Sequence, residues 1–313
     1  MSGVGRAAPH TDDAERVKLE PPDISAHRAG NTGIPYVTTL DSGHPGPHVA
    51  ISAVMHGNEV SGAIAVDHLL QSSLSPHRGK LSLVFANVSA FETFDLMNPN
   101  ASRFINEDMN RLWADGATDG RKNVERSRVQ ILRPFFDTVD MLLAGPSDKG
   151  RDLARSLESP AVIVCDTGHA NGMRLRNFGR FNSTAHPHAS ILAECGQHWR
   201  AGTDRLAIDT YYRFLQAAGM ITADVGAAHI VEGTLPNFWV EVTDSFVPRR
   251  KGAAFVEPFI GMEAIAEAGT PIAHDSADVI RTPYDDYVLI MPTRRLAVGQ
   301  TAVRLGRRHM FDG

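Results

Sequence analysis

A histidine and a glutamate three residues apart, His56 and Glu59, stand at the end of an apolar run. An imidazole and a carboxylate at this spacing can converge on one cation. The run, Val49–Met55, has no polar residue except Ser52 and predicts a buried strand. An apolar-periodic segment with Val60, Ile64, Leu69 and Leu70 then predicts a helix to about Gln71. Gly57 permits the sharp turn between them, and Asn58 and Glu59 fall near the helix N-terminus. Two ligands do not make a zinc site, so the pair is informative only alongside other residues.

The second stretch with chemical content is residues 98–111. Here Arg103, Asn110 and Arg111 lie in a Pro-bearing connection just past a second buried strand, Leu81–Val88. Open α/β sheets bind ligands in that position, and arginine forks suit carboxylates and polarised carbonyls. The plainer reading is a solvated loop in which Arg111 bridges to Asp108 or Glu107. The third stretch is Ile191–His198, an apolar run with Glu194 near its end, followed by Cys195 and Gly196.

The elements that must carry these residues alternate strand and helix. Residues 1–22 read as a mobile leader ending in Pro21-Pro22, and Tyr36–Leu40 as a short strand. Val124–Val139 has helical spacing with Pro134 inside it, and Met141–Ala144 and Ala161–Cys165 read as strands on either side of a short helix, Asp152–Leu157. The alternation predicts an α/β domain over residues 23–222, a parallel or mixed sheet flanked by helices. From about residue 223 the pattern shifts to short alternating segments between Gly and Pro turns, which predicts a smaller β-rich C-terminal domain over residues 223–313.

Bulk properties exclude several classes. A net charge of −5 over 313 residues, with no basic run, argues against nucleic acid as a partner. No apolar segment is long enough to span a membrane, and the N-terminus lacks a signal-peptide core, so the expected compartment is the cytoplasm. Cys165 and Cys195 are too few for a disulfide framework and read as small buried residues.

In order and spacing, His56-Gly57-Asn58-Glu59, the stretch from Asn98-Pro99 to Asp108-Met109-Asn110-Arg111, and Glu194-Cys195-Gly196 resemble the succinylglutamate desuccinylase/aspartoacylase family of zinc-dependent amidohydrolases. That family shares its catalytic domain with the zinc carboxypeptidases. The resemblance therefore implies a zinc-carboxypeptidase-like mixed sheet flanked by helices, with a closing β-rich domain that Thr282–Asp285 and Gly299–Val303 resemble. It implies one zinc ion per chain, with His56 and Glu59 as two of three ligands. It also implies Arg103 as the residue that polarises the scissile carbonyl, Asn110 and Arg111 as the grip on a small-molecule carboxylate substrate, and Glu194 as general base and acid. The activity implied is cleavage of an N-acyl amino acid or a related amide; carboxypeptidase activity is a lesser alternative, disfavoured by the early Glu-Cys-Gly and the β-rich end. The sequence departs from the family at the third ligand. Where the family carries a histidine in an Asp-x-His step, this chain reads Asp140–Ser147 with no histidine, through divergence of the segment or, the favoured account, deletion of a block. His169, which also follows a buried strand, is the foremost substitute, ahead of His186, His188 and His198. Without one, the chain would be a degenerate, metal-poor relative, either a binding protein or an inactive one.

Overall fold

The computed structural model describes residues 16–143, 150–160, 162–166, 172–183, 188–231, 233, 236–293 and 296–311. In chain order its strands begin with β1 (Val37–Asp41), β2 (His48–Ala53), β3 (Lys80–Phe85), β4 (Met141–Leu143), β5 (Ile163–Cys165) and β6 (Ala189–Ile191). They continue with β7 (Phe238–Phe246), β8 (Ala254–Phe255), β9 (Ala264–Ile265), β10 (Pro271–Asp275), β11 (Asp278–Arg281), β12 (Tyr287–Ile290) and β13 (Val303–Met310). The helices are α1 (Val60–Gln71), the single turn α2 (Val88–Phe91), α3 (Val124–Phe136), α4 (Gly150–Ser156) and α5 (Thr203–Ala217). No helix among the described residues is long and apolar enough to cross a membrane.

The chain divides into two compact units, Met1–Gly145 with Ala170–Glu232, and Pro146–His169 with Gly233–Gly313. The first holds a five-stranded mixed sheet in the order β1-β3-β2-β4-β6. β2, β3, β4 and β6 run parallel and β1 joins the edge antiparallel to β3. The apolar run beginning at Val49 forms the centre: Val49, Ala50 and Ile51 are fully buried. Removing a side chain such as Ile51 from water contributes about 2 kcal/mol, and such burial is what makes this short segment a strand. α1 packs against β2, β3 and α5. α3 starts on Asn123, whose side chain accepts the Arg126 N–H, and it buries Val129, Leu132 and Phe136. Pro134 sits in its last turn, where it removes one i→i−4 hydrogen bond, and the helix ends two residues later.

The second unit contains a five-stranded sheet, β5-β7-β13-β12-β9, and a three-stranded one, β11-β10-β8. It confirms a β-rich C-terminal region, with a difference in what joins it. The segment 146–169 had been expected inside the first domain, yet β5 pairs in parallel with β7. β4 has β2 on one side and β6 on the other, so the first sheet offers β5 no free edge beside it. The strand expected over Ile191–His198 is also shorter, since β6 ends at Ile191 and Glu194 lies in irregular chain beyond it.

Candidate active site

The candidate site is built where β2 ends. Val54 has φ +60°, in the left-handed region that a β-branched side chain rarely adopts. Its carbonyl accepts the Asn87 N–H at 2.8 Å and the Ala53 carbonyl accepts the Ala86 N–H at 3.0 Å, so neighbouring chain holds the bend in place. The bend turns Met55 and His56 off the strand line. Gly57 comes next, and a Cβ there would lie 2.3 Å from both the Ala90 carbonyl carbon and the Ser102 oxygen. Only glycine fits, and its N–H donates to the Arg103 carbonyl at 3.1 Å, which ties the turn to the second stretch.

His56 is buried, 7% exposed, and both ring nitrogens meet carboxylates. Nδ1 lies 2.7 Å from Glu59 Oε1 and Nε2 lies 2.9 Å from Asp108 Oδ1. Glu59 Oε2 accepts the Met55 N–H at 2.8 Å, which locks the i, i+3 pair into one unit. Asp108 is a hub. Its Oδ1 also accepts the Asn110 N–H at 2.9 Å, while its Oδ2 takes an N–H from Arg103 at 3.2 Å and lies 3.8 Å from the Arg111 guanidinium. Arg111 donates to the Asn110 carbonyl at 2.9 Å. Asn110 spends Oδ1 on the Leu175 N–H at 3.1 Å, and its Nδ2 has no partner among the described residues.

Burial opposes charge on His56, but Glu59 and Asp108 overcome it and hold the imidazole above its ordinary 6.5. Burial likewise works against the Glu59 carboxylate, yet the His56 charge, with His198 and Arg103 behind it, lowers it to about 2. Asp108 is held below the usual carboxylate range in spite of burial, by hydrogen bond and charge from His56 and by Arg103 and Arg111. Each ring nitrogen thus faces a carboxylate oxygen, Nδ1 that of Glu59 and Nε2 that of Asp108.

His56 contributes stability that is fully present below pH 6.5 and is lost as pH rises through its raised folded value. Glu59 contributes stability present above its ordinary 4.5 and lost as pH falls toward about 2. The chelator-treated protein should thus be most stable between these limits, and each group's arm slopes by at most about 1.4 kcal/mol per pH unit. Calorimetry on His56→Gln should show a flattened alkaline arm; an unchanged arm would mean that His56 is not its source.

The residues present fit a divalent cation in part. Exchanging the Nδ1 proton for the cation leaves Nδ1 and the Glu59 carboxylate as donors, with Asp108 behind the ring holding Nε2, the usual carboxylate backing of a metal-bound histidine. Among the described residues no group of three His, Cys, Asp or Glu side chains could hold a metal ion. His169 and His186 lie outside the described residues. His188 is engaged elsewhere, 3.1 Å from Asp140. The His198 carbonyl accepts the Ser61 N–H at 2.9 Å, in the first turn of α1, and its imidazole is close enough to lower Glu59.

The structure therefore brings His56, Glu59, Arg103, Asn110 and Arg111 together around one carboxylate, Asp108. Glu194 is exposed, with no hydrogen bond or ion pair to another described residue. Arg174 and Arg176 are buried, at 7% and 1% exposure. Cys195 has its thiol pushed up to about 12 by burial and the Glu194 charge, and Cys165 is buried, so neither is an activated nucleophile.

The model of the succinylglutamate desuccinylase/aspartoacylase catalytic domain matches residues 45–206, more than half of the chain. Solved structures similar to it include a succinylglutamate desuccinylase from Vibrio parahaemolyticus, 14% identical over 88% of this chain and 86% of that one, with a TM-score of 0.58. An ectoine utilization protein from Ruegeria pomeroyi, solved with product bound, is 16% identical over 86% of this chain and 88% of its own, with a TM-score of 0.61. A protein from Shewanella frigidimarina described as a succinylglutamate desuccinylase/aspartoacylase is 15% identical over 88% of this chain and 93% of that one, with a TM-score of 0.62. At these identities the likeness is one of fold. No curated protein matches the sequence. With its catalytic-domain match, its mixed sheet and the ordered stretches at 56–59, 98–111 and 194–196, the chain belongs to the succinylglutamate desuccinylase/aspartoacylase family of deacylases.

Proposed function

We propose that the chain hydrolyses the amide bond of an N-acyl amino acid or a related small carboxylate, giving a carboxylate and a free amine. The observation that carries this reading is the orientation of His56, whose Nε2 is held by Asp108 so that Nδ1 faces the Glu59 carboxylate. His56 and Glu59 would hold zinc, which when bound acidifies water and withdraws electrons from the scissile carbonyl. Arg103, 40% exposed at its side chain, has donor capacity left beyond Asp108 for the oxygen that gains charge as the amide carbon becomes tetrahedral. The Arg111 guanidinium and the Asn110 Nδ2 supply donors for a carboxylate on the substrate. Glu194, open to solvent, would take the proton of the attacking water and return it to the departing amine nitrogen.

A second reading has its own observation, the absence of a histidine from Asp140–Ser147. With two protein ligands a zinc site is weak, and the chain would then bind its carboxylate ligand without cleaving it. Elemental analysis separates the two. Wild-type protein dialysed against metal-free buffer should hold about one zinc per chain and cleave members of an N-acyl amino acid panel; His56→Ala should lose both. A folded wild-type chain that holds no zinc and cleaves nothing when zinc is supplied would reject the hydrolase and leave the binding protein.

A further inference from the structure

Glu125 lies in the first turn of α3 and is completely buried, yet it makes no ion pair among the described residues. A carboxylate removed from water needs full hydrogen bonding to be tolerated. Here the bonds come from two consecutive backbone groups: Oε1 accepts the Ile105 N–H at 2.7 Å and Oε2 accepts the Asn106 N–H at 3.1 Å. The helix N-terminus on which the residue sits adds favourable potential for its charge. The latch continues on both sides. Asn106 Oδ1 accepts the Val124 N–H at 3.2 Å, and Glu107 is gripped by Asn123 and by Arg126, whose second arm reaches Oε2 at 3.0 Å.

Residues 105–107 are thus fastened one after another to the start of α3. They are three of the four residues between Arg103 and Asp108, whose side chains meet at 3.2 Å. The Arg103 side chain is 40% exposed, so this contact by itself is a weak constraint on the loop. The buried constraint is the carboxylate of Glu125. We propose that Glu125 is a positioning residue of the active site: by clamping the Ile105 and Asn106 amides it sets the loop that delivers Arg103 to the reacting carbonyl and Asp108 to His56. The proposal rests on the hydrolase reading for its consequence in catalysis, but its geometry can be tested without activity.

The test is Glu125→Gln, which preserves volume but turns an amide NH2 toward one of the two N–H groups. In proton NMR of the full chain at low temperature, with His56→Ala as the assignment control, the His56 Nε2 proton bonded to Asp108 should be visible in wild type and broadened beyond detection in the variant. Exchange of the Ile105 and Asn106 amides should quicken about tenfold while β2 and β3 amides keep their protection. With substrate, kcat should fall about tenfold and KM stay within about twofold, since the loss is in alignment at the reacting carbonyl. An unchanged Nε2 signal beside deprotected Ile105 and Asn106 amides would overturn the proposal and leave Glu125 a purely structural clamp. If Glu125→Gln does not fold, Glu125→Asp, with the charge kept and the reach shortened, carries the same readings. A wild-type chain that cleaves no amide would count against the hydrolase alone, because the imidazole signal reports the latch regardless.

Discussion

An Arg103→Ala chain should turn over its substrate about 100- to 1000-fold more slowly than wild type, with KM little changed. The guanidinium is the cation of the cluster with its side chain most open, 40% exposed, and one nitrogen alone is committed to Asp108. Donors free in that way are worth most when charge develops on the carbonyl oxygen, and the loss therefore appears in kcat. Arg103→Lys keeps the charge without the fork and should recover a part of the rate. Arg111→Ala should behave in the opposite sense, raising KM, because its partner is the carboxylate already present in the ground state. A loss confined to KM in Arg103→Ala would assign Arg103 to binding and remove it from the chemistry.

The second large effect is expected at Asp108, which the sequence treated only as a partner for Arg111. Asp108→Ala strips the buried His56 of its Nε2 acceptor, takes a carboxylate away from Arg103 and Arg111 and leaves the Asn110 N–H without its 2.9 Å bond. Breaking one side of a buried ion pair costs about 3 kcal/mol. Zinc affinity should fall about 10- to 100-fold, as when the carboxylate behind a metal-bound histidine is removed. Urea titration reads the first and chelator competition the second. Asp108→Asn, with one acceptor oxygen kept, should lie between the two. If Asp108→Ala unfolded at the wild-type urea concentration with unaltered affinity, the hub assigned to this carboxylate would be wrong.

The site's first layer was legible because its residues are marked by local pattern. His56 and Glu59 follow an apolar run, and Arg103, Asn110 and Arg111 sit in a connection beyond a strand. Asp108 was passed over because its partner is 52 residues away, and no spacing rule reports a contact made through space. A faint signal existed: an aspartate just ahead of Asn110-Arg111 is well placed to receive its own backbone, and it does accept the Asn110 N–H. Glu125 resembled any acidic residue in the first turn of a helix, and only the fold reveals that it is buried. The same limit applies to β5. Its apolar residues announce a strand, but which sheet it joins depends on edges formed by β4, β6 and β7.

The strand order bears on how the chain reaches its native state. β1, β2, α1 and β3 all fall within residues 37–85, so three of the five strands of the first sheet can assemble from near neighbours and carry His56 and Glu59 with them. β4 must return across some ninety residues to meet β2, and it offers three residues to β2 and three to β6. Long loop closures rewarded by so little pairing are slow, and the apolar residues Leu142 and Leu143 stay exposed until they succeed. The turn that carries His56 and Glu59 therefore belongs to the early-forming part of the domain, and the segment from which the expected third histidine is missing belongs to the late one.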